Sequence, residues 1–405
     1  MKSVLVFVVF IHLTIQAFSQ IYVDTLVNQM YKISDCDSHL IYSEIAKIVK
    51  DKRIVILGEA GHGDGGVFEL KSGLIKYLVE NHGFNTVALE GAGFFDFQYI
   101  QNNVPEVEGI QRAYLGWAPM WKDAKETSVL NKLIEEGKVK AFGMDSEISY
   151  GASLLPYYLS KMYSFDGIDM DKLYKLNRRL YRQDSTLSAE DYRMIDSSYI
   201  EIKKRLDTMT IAMDVKEILL QSVDNALALS EEYHIVFIDK DMRDYGINTR
   251  DQQMANNIMW FLERNPNAKM IIWTASFHGA TKIKDIVYDE EDPKLYDLYV
   301  TLGEHLKEKY KEGVYSIAYT SGGGVAGMYL TGQEFPVDPF EETLESQLYQ
   351  KPICFGFLNF NGLNLSESKQ YQSILMGYRL KKGIWQNAFD GIFYLRTNHA
   401  TSRRK

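Results

Sequence analysis

Five short runs of apolar, β-branched-rich sequence, each cut off by a polar or charged residue, set the limits on how this chain folds: Ile54–Glu59, Thr86–Glu90, Val139–Asp145, Met270–His278 and Val314–Thr320. Runs of this length without polar alternation are the pattern of strands buried on both faces, which is how a parallel sheet covered by helices reads. Between the first two runs lies an amphipathic stretch, Val67 to Asn81, closed by Gly83 as a helix stop. This strand–helix–strand unit has the length of a right-handed βαβ crossover. The expected class is therefore α/β, with a central, mainly parallel sheet flanked by helices.

Two further patterns complete that outline. From Leu154 to Glu232, Tyr, Leu, Lys and Glu recur at helical spacing with few glycines, which predicts a large helical insertion over about 154–232. The stretch Asn248 to Arg264 predicts another helix, capped by Asn248 or Thr249. Gly391 to Leu395 reads as a last strand, and no linker or repeat forces a domain boundary.

The first residues follow a different logic. Lys2, an apolar run from Val4 to Phe18 and the small-residue pattern Ala17-Phe18-Ser19 before Gln20 read as a signal peptide over 1–19, leaving 20–405 as the mature domain. The run is too short to span a bilayer, so no membrane association is expected after its removal. Export to the periplasm or beyond the cell is the expected localisation. The only two cysteines, Cys36 and Cys354, are far apart in sequence, and two buried free thiols are the expectation. A net charge of −9 without a basic face argues against nucleic acid as a partner. The expected partner is a small molecule; composition does not fix the oligomeric state.

In a parallel sheet the strand C-termini share one edge, and ligands bind in the crevice outside it. The residues delivered there are Glu59, with His62 three positions on, Glu90, Asp145 and His278. The glycine-rich loop Gly58 to Gly66 lacks a Gly-Lys-Ser/Thr ending and carries Glu59 and Asp64, so it does not read as a phosphate cradle. Its glycines suggest a tight turn that lets backbone approach a substrate. A histidine beside a carboxylate can take a proton from water near neutral pH, which makes His62 the candidate base, with Glu59 or Glu90 fixing its tautomer. His278, from a separate strand, is placed to protonate a leaving alkoxide or to bind an oxyanion. Arg250 is a candidate for holding a substrate oxygen or carboxylate, or for pairing with a site carboxylate, and Asp145 is a second candidate for substrate binding. His82, His234 and His305 read as ordinary helix or surface residues. The Gly-x-Ser-x-Gly signature of a serine nucleophile is absent.

These segments resemble the erythromycin esterase family, whose members open the macrolactone ring of macrolide antibiotics. The likeness begins at Gly58-Glu59-Ala60-Gly61-His62-Gly63 and continues through Val87-Ala88-Leu89-Glu90, Gly143-Met144-Asp145, Arg250-Asp251-Gln252-Gln253, Ile272 to His278, and Phe389-Asp390-Gly391-Ile392-Phe393. The resemblance implies ester or lactone hydrolysis with His62 as general base and Glu59, Glu90, Arg250 and His278 in the active site, without a required metal or other cofactor. The chain departs from the family pattern at Ala275, where a histidine is expected, at Gly66, where an acid is expected, and at Lys71, in the place of an arginine. Two other readings stay open at this level. One is a metal-dependent hydrolase using His62, Glu59, Glu90 and His278 as N/O ligands. The other is an exported ligand-binding homologue with altered catalysis.

Overall fold

The computed structural model describes residues 21–110, 116–146, 154–239, 245–287, 294–328, 331–338, 340–363 and 368–403. The signal-peptide stretch lies outside the described residues. An eight-stranded sheet organises the chain, built from β1 (Tyr31–Ile33), β2 (Ile54–Glu59), β3 (Thr86–Gly93), β4 (Lys140–Asp145), β5 (Met270–Ala275), β6 (Val314–Ser321), β7 (Phe355–Asn359) and β8 (Gly391–Leu395). Their spatial order is β1-β7-β8-β6-β2-β5-β3-β4. The six strands from β8 to β4 pair in parallel, and β1 and β7 add an antiparallel edge. The expected class, a mainly parallel sheet flanked by helices, is the fold of this chain.

Alternation along the strands explains why helices cover both faces. Ile54 and Ile56 of β2 belong to one core with Ala88, Phe142, Met270 and Ile272, whereas Val55 and Leu57 belong to a second core with Val87, Leu89, Ile271 and Trp273. The second core is closed by helices α1 (Ser38–Val49) and α2 (Gly65–His82). Gly83 ends α2 in the left-handed conformation that a glycine adopts without cost. The first core is closed by α7 (Gly246–Arg264) and by four helices between Leu154 and Phe237: α3 (Leu154–Met162), α4 (Met170–Tyr181), α5 (Ala189–Thr208) and α6 (Met213–Phe237).

Register places the functional edge. Leu57, Trp273 and Leu89 are level across β2, β5 and β3, so Glu59 and Glu90 leave the sheet within one residue of each other in height. A bulge between Leu89 and Gly93 shifts β3 against β4, and Gly93 there pairs with Asp145. Bulges at such edges re-aim side chains.

Three expectations need correction. The run ending at His278 is strand only to Ala275; Ser276–Gly279 form a single helical turn, because the chain folds over the end of β2, where Ser276 Oγ donates to Gly58 O at 3.0 Å. A side chain at Gly58 would put its Cβ 2.7 Å from Ser276 Cα, so the crossing requires glycine there. Helix α7 begins at Gly246, two residues before the expected cap, and the Asn248 amide bonds Leu298 O and Val300 N instead.

The cysteines are neither free nor buried. Cys36 and Cys354 form a disulfide with Cα atoms 5.0 Å apart. The antiparallel pairing of β1 with β7 sets Ile33 opposite Phe355, so the residue that precedes β7 and the turn that follows β1 meet. The short β1 gave no periodic signal, so the meeting could not be read beforehand. Because the bond closes 318 residues, replacing both cysteines by serine should lower stability by about 2–4 kcal/mol. A guanidinium unfolding midpoint unchanged in the double variant would show that the edge holds without it.

Candidate active site

Glu59 ends β2 with no exposure, and its carboxylate is held from three sides. Trp121 Nε1 donates to Oε1 at 2.8 Å, the buried Lys71 ammonium pairs with Oε2, and His62 Nδ1 faces Oε1 at 3.4 Å. Lys71 also donates to Thr274 O at 3.2 Å and stands over the Trp273 ring, 4.0 Å from its centroid. The ring of His62 rests edge-on against Trp121, is 44% exposed, and its Nε2 has no hydrogen-bond partner among the described residues. A histidine fixed at Nδ1 and open at Nε2 is arranged to accept a proton from the crevice.

Glu90, at the end of β3, is turned the other way. Its Oε2 accepts from Thr274 Oγ1 at 2.6 Å and from Ala275 N at 2.7 Å. Its Oε1 faces His278 Nε2 at 3.6 Å and Arg250 Nη2 at 3.8 Å. Arg250 binds Asp145 in the two-pronged manner of a guanidinium on a carboxylate, Nε to Oδ1 at 3.0 Å and Nη2 to Oδ2 at 2.7 Å. Asp145 Oδ2 also accepts from Gly91 N at 2.8 Å, which ties β4 to the bulge after Glu90.

These contacts sort the charges. Burial raises the Glu90 pKa, but His278, His62, Arg250 and the Thr274 hydroxyl outweigh it and hold the carboxyl at about 2. Burial opposes a charge on His278, yet Asp251 and Glu90 push it up to about 9, so it is an imidazolium at neutral pH. Desolvation likewise pulls His62 down, but the Glu59 hydrogen bond and the charges of Glu90 and Glu59 leave its pKa above the ordinary histidine value. Lys71 lies below the ordinary lysine value through burial, with Glu59 pulling the other way.

Each of the six residues expected at the site, Glu59, His62, Glu90, Asp145, Arg250 and His278, belongs to this one network. The sequence reading missed four members. Asp251 bonds His278 Nδ1 at 2.5 Å and accepts Leu302 N at 3.0 Å, where the helix Leu302–Tyr310 begins. Trp121, Lys71 and Thr274 also touch the site carboxylates, and only Lys71 had been singled out, as a departure from a pattern. Within the glycine loop, Gly63 approaches Gly327 of the protein itself, where an added Cβ would come within 1.8 Å of the Gly327 carbonyl oxygen. Among the described residues, no group of three or more His, Cys, Asp or Glu side chains is disposed to hold a metal ion.

A parallel α/β sheet that presents a carboxylate-backed histidine and a second, charged histidine at its C-terminal edge defines a class of site suited to proton transfer. Comparison with known proteins is more specific: the erythromycin esterase family model matches residues 79–398, and the chain belongs to that family. The matched span contains Glu90, Asp145, Arg250 and His278, and the Glu59–His62 loop precedes it. Erythromycin esterase type II of Escherichia coli is 23% identical over 89% of this chain and 93% of its own length. Among solved structures, a succinoglycan biosynthesis protein superposes with a TM-score of 0.71 at 16% identity, covering 96% of this chain and 99% of its own. A mutant of the erythromycin esterase EreC in its open conformation gives 0.65 at 16% identity, with 88% of this chain and 93% of its own covered. Family and relatives point to a hydrolase acting on a small molecule.

The Asp251 contact predicts a measurable titration. In Asp251→Asn, His278 loses the first of the charges that raise its pKa, so its midpoint should fall from about 9. Histidine NMR titration reads this directly, and an unmoved midpoint would assign the charge to Glu90 alone.

Proposed function

We propose that this chain hydrolyses a carboxylic ester, with a lactone of the macrolide type as the leading substrate class, by water activated at His62. The observation that carries the reading is the division of labour between the two histidines. His62 has its Nδ1 on the locked Glu59 carboxylate and its Nε2 open, whereas His278 is held as a cation between Asp251 and Glu90.

The chemistry follows from those states. Neutral His62 takes a proton from water as the oxygen attacks the ester carbonyl, and Glu59 stabilises the imidazolium that forms. Negative charge gathers on the former carbonyl oxygen, and the His278 imidazolium, with Arg250 beside it, is the positive group available to that oxyanion. Collapse expels the alkoxide, which takes its proton from His62, and the products are the acid and the alcohol. Asp145 acts through Arg250 by fixing the guanidinium plane. Ala275 stands where the family pattern has a histidine, and its backbone N–H holds Glu90, so in this mechanism the acid role falls to His62.

The test is mass spectrometry of macrolides and simpler lactones incubated with the protein. A gain of one water that vanishes in His62→Ala is expected, and turnover in that variant within about tenfold of the parent would exclude His62 as the base. The pH profile adds a signed test. The base must be neutral, so activity should rise with pH through a midpoint above the ordinary histidine value. Glu59→Gln, which removes the group that raises it, should move that midpoint down.

We also propose export, supported by the Lys2 to Ser19 pattern and by the disulfide, which forms and persists in oxidising compartments. Sequencing of the secreted or periplasmic protein should find Gln20 at its N-terminus; an intact Met1 would refute cleavage.

A further inference from the structure

The turn that carries His62 is held by residues from the far end of the chain. Asp64 precedes α2 and is fully buried, but its side chain does not cap that helix. It turns back instead, and Oδ2 accepts Gly61 N at 2.8 Å, closing the loop around His62. The first free N–H groups of α2 are satisfied from residues 398–399: Gly65 N donates to His399 O at 2.8 Å and Gly66 N to Asn398 Oδ1 at 3.1 Å. Asn398 then returns its amide, with Nδ2 donating to Asp64 Oδ1 at 3.2 Å.

One amide and one carboxylate therefore interlock, Asp64 gripping the peptide before His62 and Asn398 gripping the peptide at the start of α2. The backbone of Asn398 is itself fixed on both sides, its N donating to Gly323 O at 2.8 Å and its O accepting Val325 N at 3.1 Å. Gly66 must be a glycine for this to fit, because a Cβ there would lie 2.9 Å from Asn398 Oδ1 and 2.8 Å from Leu395 Cδ2. Tyr378 closes the remaining side, its hydroxyl 3.4 Å from Asn398 Nδ2 and accepting Ser321 Oγ at 3.2 Å. Both Asp64 and Asn398 are buried.

We propose that Asp64 and Asn398 are a positioning pair for His62: their mutual hydrogen bond sets the Gly61–Gly65 turn and with it the placement of the His62 ring against Glu59. The inference rests on the reading of His62 as the base, but its structural part can be tested without turnover.

The polarity of the pair makes the test sharp. Asp64→Asn sets one amide NH2 against another, and Asn398→Asp sets two carboxylates together. The exchange Asp64→Asn/Asn398→Asp restores the bond between the two side chains and both backbone bonds, with the new amide accepting from Gly61 N and donating to the new carboxylate, which still accepts from Gly66 N, while the Tyr378 hydroxyl turns from accepting to donating at position 398. Measurements at pH 8 keep the acid at position 64 ionised in the parent, because burial pushes its pKa up to about 7.

Each single variant should lower kcat about tenfold or more with KM within about threefold, since a displaced base loses rate before it loses binding. The His62 NMR midpoint, assigned by its disappearance in His62→Ala, should fall in each single variant as the Glu59 contact is lost, and the exchange should restore rate and midpoint together. If a single variant does not fold, Asn398→Ala, which removes both bonds without adding a charge, supplies the comparison. Single variants that fold and titrate like the parent at His62 would overturn the proposal, as would a folded exchange variant that leaves His62 displaced. If no lactone is turned over, the NMR arm still decides the positioning while the hydrolase reading fails separately.

Discussion

A carboxylate buried without water needs compensation, and at Glu59 the compensation is the Lys71 ammonium. The pair stands where β2 ends, beneath the loop that carries His62 and beside the Trp121 indole that completes the set of donors to the carboxylate. Removing Lys71 alone would leave an uncompensated charge, a loss of about 3–5 kcal/mol in buried pairs of this kind. Most of the arrangement around the crevice follows from that one requirement. Trp121 is brought in by the segment after Trp117, whose own indole donates to Glu90 O, so the Glu59 carboxylate and the Glu90 backbone are linked through stacked tryptophans.

The second carboxylate is balanced by geometry more than by a single partner. Glu90 gives one oxygen to Thr274 and Ala275 of β5, and the other faces two cations that are themselves anchored, Arg250 by Asp145 and His278 by Asp251. Helix α7 supplies Arg250 and Asp251 as neighbours, and they serve different carboxylate–cation couples. Such a chain of alternating charges holds the Glu90 carboxyl low and the His278 imidazole high, although burial alone would push each the other way.

Much of this was legible beforehand because the buried parallel strands announce themselves by composition, and the sheet then dictates which residues share an edge. Glu59, Glu90, Asp145 and His278 could be placed from the ends of their apolar runs, and His62 from its distance beyond one of them. What could not be read depended on contacts between segments without local periodicity. Asp251 looks like a residue suited to a helix start; only the turn at Ser276–Gly279, which bends His278 towards α7, makes it a histidine partner. Trp121 belongs to a short loop helix, and the three-residue β1 is too brief to show alternation, so the disulfide beyond it was equally hidden.

That short strand carries a consequence of its own. A sheet edge with unpaired backbone groups is a template on which another chain can add a strand. Here the edge beyond β7 is occupied by only three residues, Tyr31–Ile33, too few to offer a long ladder to an incoming segment. The bond from Cys36 to Cys354 fastens that cover beside the first residue of β7. A copy with both thiols reduced would be free to let the cover lift and expose the three residues of β7 that it pairs, Phe355 to Phe357, so the cross-link guards against self-association between partly opened molecules as much as it stabilises any one of them.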